Sequence, residues 1–199
     1  MGCEASHSVH ADWYAQKNAK FEDVVTDEQI EVIKQTWPQL TNHKVTNGCK
    51  IFMHMFANAP VVKTSFSFRD LEGEELFKNT VFRGHGENFM KLLDDVILKI
   101  DCLDQAALKR LIPLGHKHGL INAFDPSFLK VYKQSVLYTW ENVLGHAYTA
   151  HVHEAWTDLL EFVIVNVADG YRAFEIEDAE KRRDGSGIPS REMIEVYTA

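Results

Sequence analysis

The chain has 199 residues, 45% of them hydrophobic and 25% charged, with a net charge of −8. That is enough for one domain with a sizeable core, at ordinary globular proportions. The negative balance argues against a nucleic-acid binder, which needs a basic face for phosphates, and no apolar run reaches the about 20 residues of a membrane-spanning helix. Cys3, Cys49 and Cys102 are odd in number and unrelated in spacing, which suggests reduced thiols in a cytosolic setting rather than a disulfide framework.

The chain opens MGCEAS. Gly2 after the start methionine, with Ser6 following, fits an N-myristoylation pattern. One acyl chain holds a membrane only marginally, so a second signal is normally needed. Cys3, beside Gly2, is in place to take palmitate. Residues 1–25 show no sustained period and read as an arm carrying this candidate acylation site. Thr26 and Gln29 then have the form of a capping box. Ile30, Ile33, Trp37 and Leu40 follow on one helical face. A second helix over 44–58 carries Cys49, Phe52 and Phe56 and ends at the "NAP" of 58–60. Pro60 is suited to start a short helical turn. "SFSFRD" (65–70) reads as a loop with two aromatics.

A long helix is predicted from about 72 to 99. At about 100° per residue, with His85 at zero, Val81 falls near −40°, Phe89 near +40°, Leu92 near −20° and Val96 near +20°. His85 is thereby expected at the centre of the buried stripe. A shorter segment, about 104–118, places Ala107, Leu111, Leu114 and His118 on one face. His116 points about 200° away. Two more amphipathic helices are expected, over about 126–144 and 149–171. The tail EKRRDGSGIPSRE (180–192) is polar and broken by glycine and proline, and reads as a flexible extension. No strand pattern bounded by hairpin turns occurs. The expected fold class is all-α, with about seven to eight helices.

A buried imidazole needs partners for its ring nitrogens. For a single histidine a carbonyl or a water serves. Two histidines on separate apolar stripes, with aromatics collected around them, suit a metal or a metal-bearing macrocycle. Haem takes axial histidine and needs a flat apolar slot. Phe52, Phe66, Phe68, Phe89, Leu114 and Phe128 are the candidates to line it, although an ordinary aromatic core would use such residues too. Gly86 and Gly48 each cost about 1 kcal/mol of helix propensity against alanine. Close approach of two helix backbones would repay that. Gly84 is compatible instead with a local backbone shift that brings His85 onto iron.

Over residues 26–171 the sequence resembles a globin. Trp37 in IKQTW resembles the tryptophan of the first globin helix, and Gly48 the second-helix glycine that meets the distal helix. Pro60 and Phe66 resemble the proline and the haem-stacking phenylalanine of the third helix and its corner. His85–Gly86 resembles the distal pair, and LGHKH (114–118) the proximal segment. Phe128 and AWTDL (155–159) fit the last two helices. The likeness is closer to neuroglobin-like and invertebrate globins than to haemoglobin chains.

The resemblance implies haem b, with His118 as the proximal iron ligand and His85 on the distal side, over a bound gas or on iron itself. It divides the chain into an arm (1–25), a globin domain (26–171) and a polar C-terminal extension (172–199). Phe89 and Phe52 would leave little room for a gas beside His85 and give it no hydrogen bond. The expected function is therefore a bis-histidyl haem protein in electron transfer or in redox or gas sensing. It would act with a redox partner protein at the cytoplasmic face of a membrane, anchored through Gly2 and Cys3. The alternatives are a five-coordinate oxygen binder and haem-dependent nitric oxide or nitrite chemistry. Arg83 and His116 are within expected reach of a haem propionate.

Overall fold

The computed structural model describes residues 25–103, 107–121 and 124–185. Gly2 and Cys3 lie outside the described residues, as do most of the arm and the tail beyond 185. Within the described residues every regular element is helical.

Helix α1 (Asp27–Thr41) opens on the expected capping box. The Gln29 N–H donates to Thr26 Oγ1 at 3.2 Å, and the Thr26 N–H donates back to Gln29 Oε1 at 2.9 Å. Helix α2 (Lys44–Asn58) ends before Pro60, which starts the single turn α3 (Pro60–Lys63) where a missing N–H costs nothing.

The long helix expected over 72–99 is two. Helix α4 (Gly73–Lys78) stops at Asn79, and α5 (Thr80–Leu98) starts after it. Asn79 has an extended backbone (φ −66°, ψ 127°), and its side-chain oxygen accepts the Phe82 N–H at 3.0 Å. That is ordinary N-cap chemistry for asparagine. The buried face of α5 also differs in phase from the expected stripe. Val81 is 40% exposed, while Phe82, Gly86, Phe89, Met90 and Leu93 are buried. His85 stands at the margin of that face, not at its centre. The face turns on Gly86, a residue that a count of large apolar side chains overlooks.

A π turn (Ala107–Leu111) leads into α6 (Ile112–Gly119). Pro113 has no N–H to give the carbonyl four residues back, so the hydrogen-bond ladder shifts there. Helices α7 (Phe128–Leu144) and α8 (Ala150–Arg183) complete the described fold. Helix α8 passes the expected boundary at 171. Val167, Tyr171, Phe174 and Asp178 continue its buried face at helical spacing. The first part of the expected extension is therefore packed helix.

Two crossings bring backbones into contact. A Cβ on Gly48 would lie 2.2 Å from the Gly86 carbonyl oxygen, and one on Gly86 would lie 2.8 Å from the Cys49 nitrogen. These are the helices α2 and α5, as the glycine pattern predicts. The second crossing, α6 on α8, was not anticipated. There a Cβ on Gly115 would lie 1.9 Å from the Val167 oxygen, and one on Gly170 would lie 2.1 Å from the Ile112 oxygen. Phe174 covers Gly119. No contact explains Gly84, which has open space around it.

Away from the crossings, Trp37, Trp140 and Trp156 from α1, α7 and α8 pack together at ring distances of 5.7–6.3 Å. The Trp37 indole donates to Asp94 Oδ1 at 2.9 Å, which joins α1 to α5. The expectation of reduced thiols throughout is corrected: Cys49 is free and Cys102 is disulfide-bonded. Cys49 is sealed in the α2–α5 crossing, whereas Cys102 lies half-buried in the turn that leaves α5.

Candidate haem site

Helix α6 carries His118 one turn after Leu114. The ring Nδ1 donates to the Leu114 carbonyl at 2.8 Å. This hydrogen bond requires the proton on Nδ1, so Nε2 keeps its lone pair for a metal. Burial lowers the His118 pKa, and the bond to Leu114 partly opposes the shift.

Helix α5 carries His85 beside the Gly86 crossing. Its ring meets Phe52 at 4.7 Å and 67°, and Phe66 at 5.0 Å and 79°, both edge-on. Among the described residues its nitrogens have no hydrogen-bond partner. Burial pushes its pKa down to about 4, and the charge that His118 would carry pushes the same way. Both imidazoles are thus neutral near pH 7, the form that binds metal.

His85, His118 and Tyr132 share one property. Each is half-buried.

The expected lining residues divide by layer. Phe52 touches His85 and lies 6.3 Å from Phe89 at 86°. Phe66 also touches His85 directly. Phe68 stands one layer back: it stacks on Phe66 at 4.9 Å and meets Phe82 at 5.4 Å. Leu114 and Phe128 are partly buried against the core. Phe128 is one ring removed from His118, through Phe124, which lies 6.5 Å from Phe128 and 4.7 Å from His118.

Sequence reasoning missed Phe124 and Tyr132. Tyr132 lies one turn after Phe128 on α7, a spacing that could have found it. Phe124 sits before α7 in a segment with no period to reveal it. The propionate candidates have other partners. His116 Nε2 lies 3.1 Å from Glu177 Oε2 on α8, and its ring meets Phe174 edge-on at 5.2 Å. The Arg83 guanidinium lies 5.7 Å over the Phe77 ring.

The donor set fits a haem. One neutral imidazole, His85, lies against Phe52 and Phe66, and the other, His118, lies against Phe124 with its Nδ1 committed to the Leu114 carbonyl. His118 and His85 would be the residues to hold a haem, which would supply an iron for an imidazole nitrogen and a flat apolar face for the aromatic rings.

A family model described as Globin matches residues 49–167. The chain is 28% identical to a neuroglobin of Chaenocephalus aceratus over 150 residues, which cover 74% of this chain and 92% of that one. It is 29% identical to cytoglobin-1 of Oryzias latipes over 153 residues, 74% of this chain and 84% of that one. Among solved structures, a hexacoordinated heme protein from an anhydrobiotic tardigrade shares the fold, with a TM-score of 0.72 and 15% identity. The match covers 77% of this chain and 99% of that one. With the helical architecture and the matched region in agreement, this chain belongs to the globin family, and its cofactor is haem b.

Proposed function

We propose that both His118 and His85 ligate the haem iron, and that the protein works in electron transfer or in redox or gas sensing. The observation that carries this reading is the state of the His85 ring. It is neutral, enclosed, turned by two phenyl edges and without a hydrogen-bond partner among the described residues. A buried imidazole in that condition is satisfied by a metal. Ligation at both axial positions lets iron change oxidation state with little rearrangement of its ligands. A diatomic gas then has to displace His85, so its apparent affinity falls with the open fraction.

The absorption spectrum of the ferrous haem protein without added gas tests the proposal. Sharp low-spin bands are expected, and His85→Leu should replace them with a broad high-spin band. A high-spin spectrum in the unaltered protein would point to the alternative, a five-coordinate oxygen binder. An unchanged spectrum in the variant would remove His85 from the iron.

The membrane part of the reading rests on Gly2 and Cys3 in the sequence. Among the described residues no helix is long and apolar enough to cross a membrane, so attachment would be through acyl groups. Mass spectrometry of the protein from its own cells tests this. Because Cys102 is disulfide-bonded and Cys49 is free, the measurement has to separate a thioester at Cys3 from a disulfide. A Gly2 without myristate would end the membrane reading.

A further inference from the structure

We propose that the last turns of α8 clamp α6 and thereby aim His118, with Phe174 as the positioning residue. The inference rests on the reading that His118 ligates iron. The clamp lies past the region that the family model matches, residues 49–167, and Phe174 lies past the expected domain boundary at 171.

Helix α6 has 8 residues, about two turns. A helix that short is marginal alone, so its attitude is set by what it is pressed against. At about 100° per residue, with His118 at zero, Gly115, Gly119, Ile112 and His116 fall near 60°, 100°, 120° and 160°. Helix α8 meets all four. Gly115 lies against the Val167 carbonyl and Gly170 against the Ile112 carbonyl. Further along, a Cβ on Gly119 would sit 2.2 Å from Phe174 Cδ1, and the Phe174 ring meets His116 edge-on at 5.2 Å. Glu177 Oε2 lies 3.1 Å from His116 Nε2. His118 leaves α6 about 110° from the centre of this seat. The seat therefore fixes the direction in which the imidazole is carried.

Two levels of control follow. The hydrogen bond to the Leu114 carbonyl sets the His118 ring relative to its own helix. It does nothing to set α6 relative to the rest of the protein, because donor and acceptor move together. The glycine contacts hold the first turns backbone on backbone. The last turn, which carries His118, is held by the Phe174 ring over Gly119, the next residue in the chain. Without that ring a gap opens over Gly119, and the last turn rolls with its internal hydrogen bond intact. Removal of Phe174 thus changes where the imidazole points and leaves its tautomer as it was.

The test uses the haem-loaded full chain carrying His85→Leu, with Phe174→Ala, Phe174→Leu or Leu160→Ala added. Leu160 is fully buried on α8 ahead of the α6 contacts, and its variant controls for a loss of stability alone. The readouts are the iron–imidazole stretching band of the ferrous form and the retention of haem. Phe174→Ala should displace the band and weaken haem retention roughly tenfold, the lower end of what losing a partner behind a metal ligand does. Phe174→Leu keeps an apolar cover over Gly119 and should displace the band less. Leu160→Ala should lower stability in denaturant unfolding and leave the band in place. A band unmoved in both Phe174 variants, or moved as far by Leu160→Ala, overturns the proposal. Absence of the band before Phe174 is changed would take His118 off the iron and the proposal with it, so the two failures are told apart.

Discussion

His118 and His85 are held by different forces. On the proximal side, α6 is pressed against α8 through Gly115 and Gly170, with Phe174 over Gly119, and the His118 ring is aimed by a hydrogen bond to Leu114. On the distal side, α5 meets α2 through Gly48 and Gly86, and the His85 ring is met edge-on by Phe52 and Phe66. A hydrogen bond has direction, and it fixes both tautomer and rotation. Edge contacts with phenyl rings are each worth about 0.5–1.5 kcal/mol beyond burial, and they leave the tautomer open. On the proposed ligation, the His118 imidazole would be the permanent ligand and the His85 imidazole the exchangeable one.

The largest effect expected from this asymmetry is in haem retention. His118→Leu should weaken haem binding by more than about 100-fold, above the range for losing an outer-shell partner alone. His85→Leu should keep one haem per chain through purification. Equal loss in both variants, read from haem-to-protein absorbance, would break the comparison.

Next come the crossings. In Gly115→Ala the new methyl would sit 1.9 Å from the Val167 oxygen, a backbone atom that cannot rotate away. A stability loss of about 3 kcal/mol is expected in denaturant unfolding. Gly48→Ala should cost somewhat less, because its nearest atom is at 2.2 Å. Gly115→Ala should also perturb the His118 environment, seen as lowered haem retention, where Gly48→Ala perturbs the distal spectrum. If each variant disturbed the opposite side, the assignment of crossings to ligands would be wrong.

A pH series separates the imidazoles from haem. In haem-free protein His85 has its pKa lowered to about 4 from 6.5, and His118 shifts in the same direction. Between those values the unfolded chain binds a proton that the folded chain refuses. Stability is therefore complete above about pH 6.5 and falls as the pH drops toward 4, by up to about 3 kcal/mol for His85. His85→Leu should flatten that slope in unfolding curves taken across the range. A slope as steep as that of the unaltered chain would show that His85 is not enclosed as described.

The smallest effect has the opposite sign. Gly84→Ala adds a methyl where nothing lies within 4 Å, in the interior of α5. A gain of about 0.5–1 kcal/mol is expected from helix propensity alone. A loss of stability there would mean that Gly84 is needed for a backbone adjustment when haem binds, the one use the geometry leaves for it.

Much of the site was legible because its signals are local. Thr26 and Gln29 announce a helix start within four residues. His85–Gly86 and Gly48 announce a crossing because glycine is costly in a helix and has to be repaid by contact. What was not legible depends on partners distant in sequence. Asn79 looks like any polar residue until it is seen to cap Phe82, so one helix was expected in place of two. Val81 and Phe82 both suit a buried stripe, and only the docking of Gly86 on α2 decides between them. The α6–α8 crossing pairs Gly115 with Val167, and no period within either helix connects them. Tyr132 was passed over because a tyrosine at helical spacing reads as core; what singles it out is its ring, edge-on to Phe89. The packed turns of α8 beyond 171 were hidden because Glu175, Glu177 and Glu180 dilute the apolar signal of Phe174.

The contact between Gly48 and Gly86 has a mechanical consequence. It acts as a fulcrum, and His85 is the residue next to it in the chain. When α5 rocks against α2, its far ends at Thr80 and Leu98 sweep the widest arcs while the imidazole's anchor point stays almost still. If His85 ligates iron as proposed, rocking of the whole helix would be a poor way to detach it. Rotation about the side-chain bonds of His85 is the cheaper motion, and it leaves the rest of the scaffold in place.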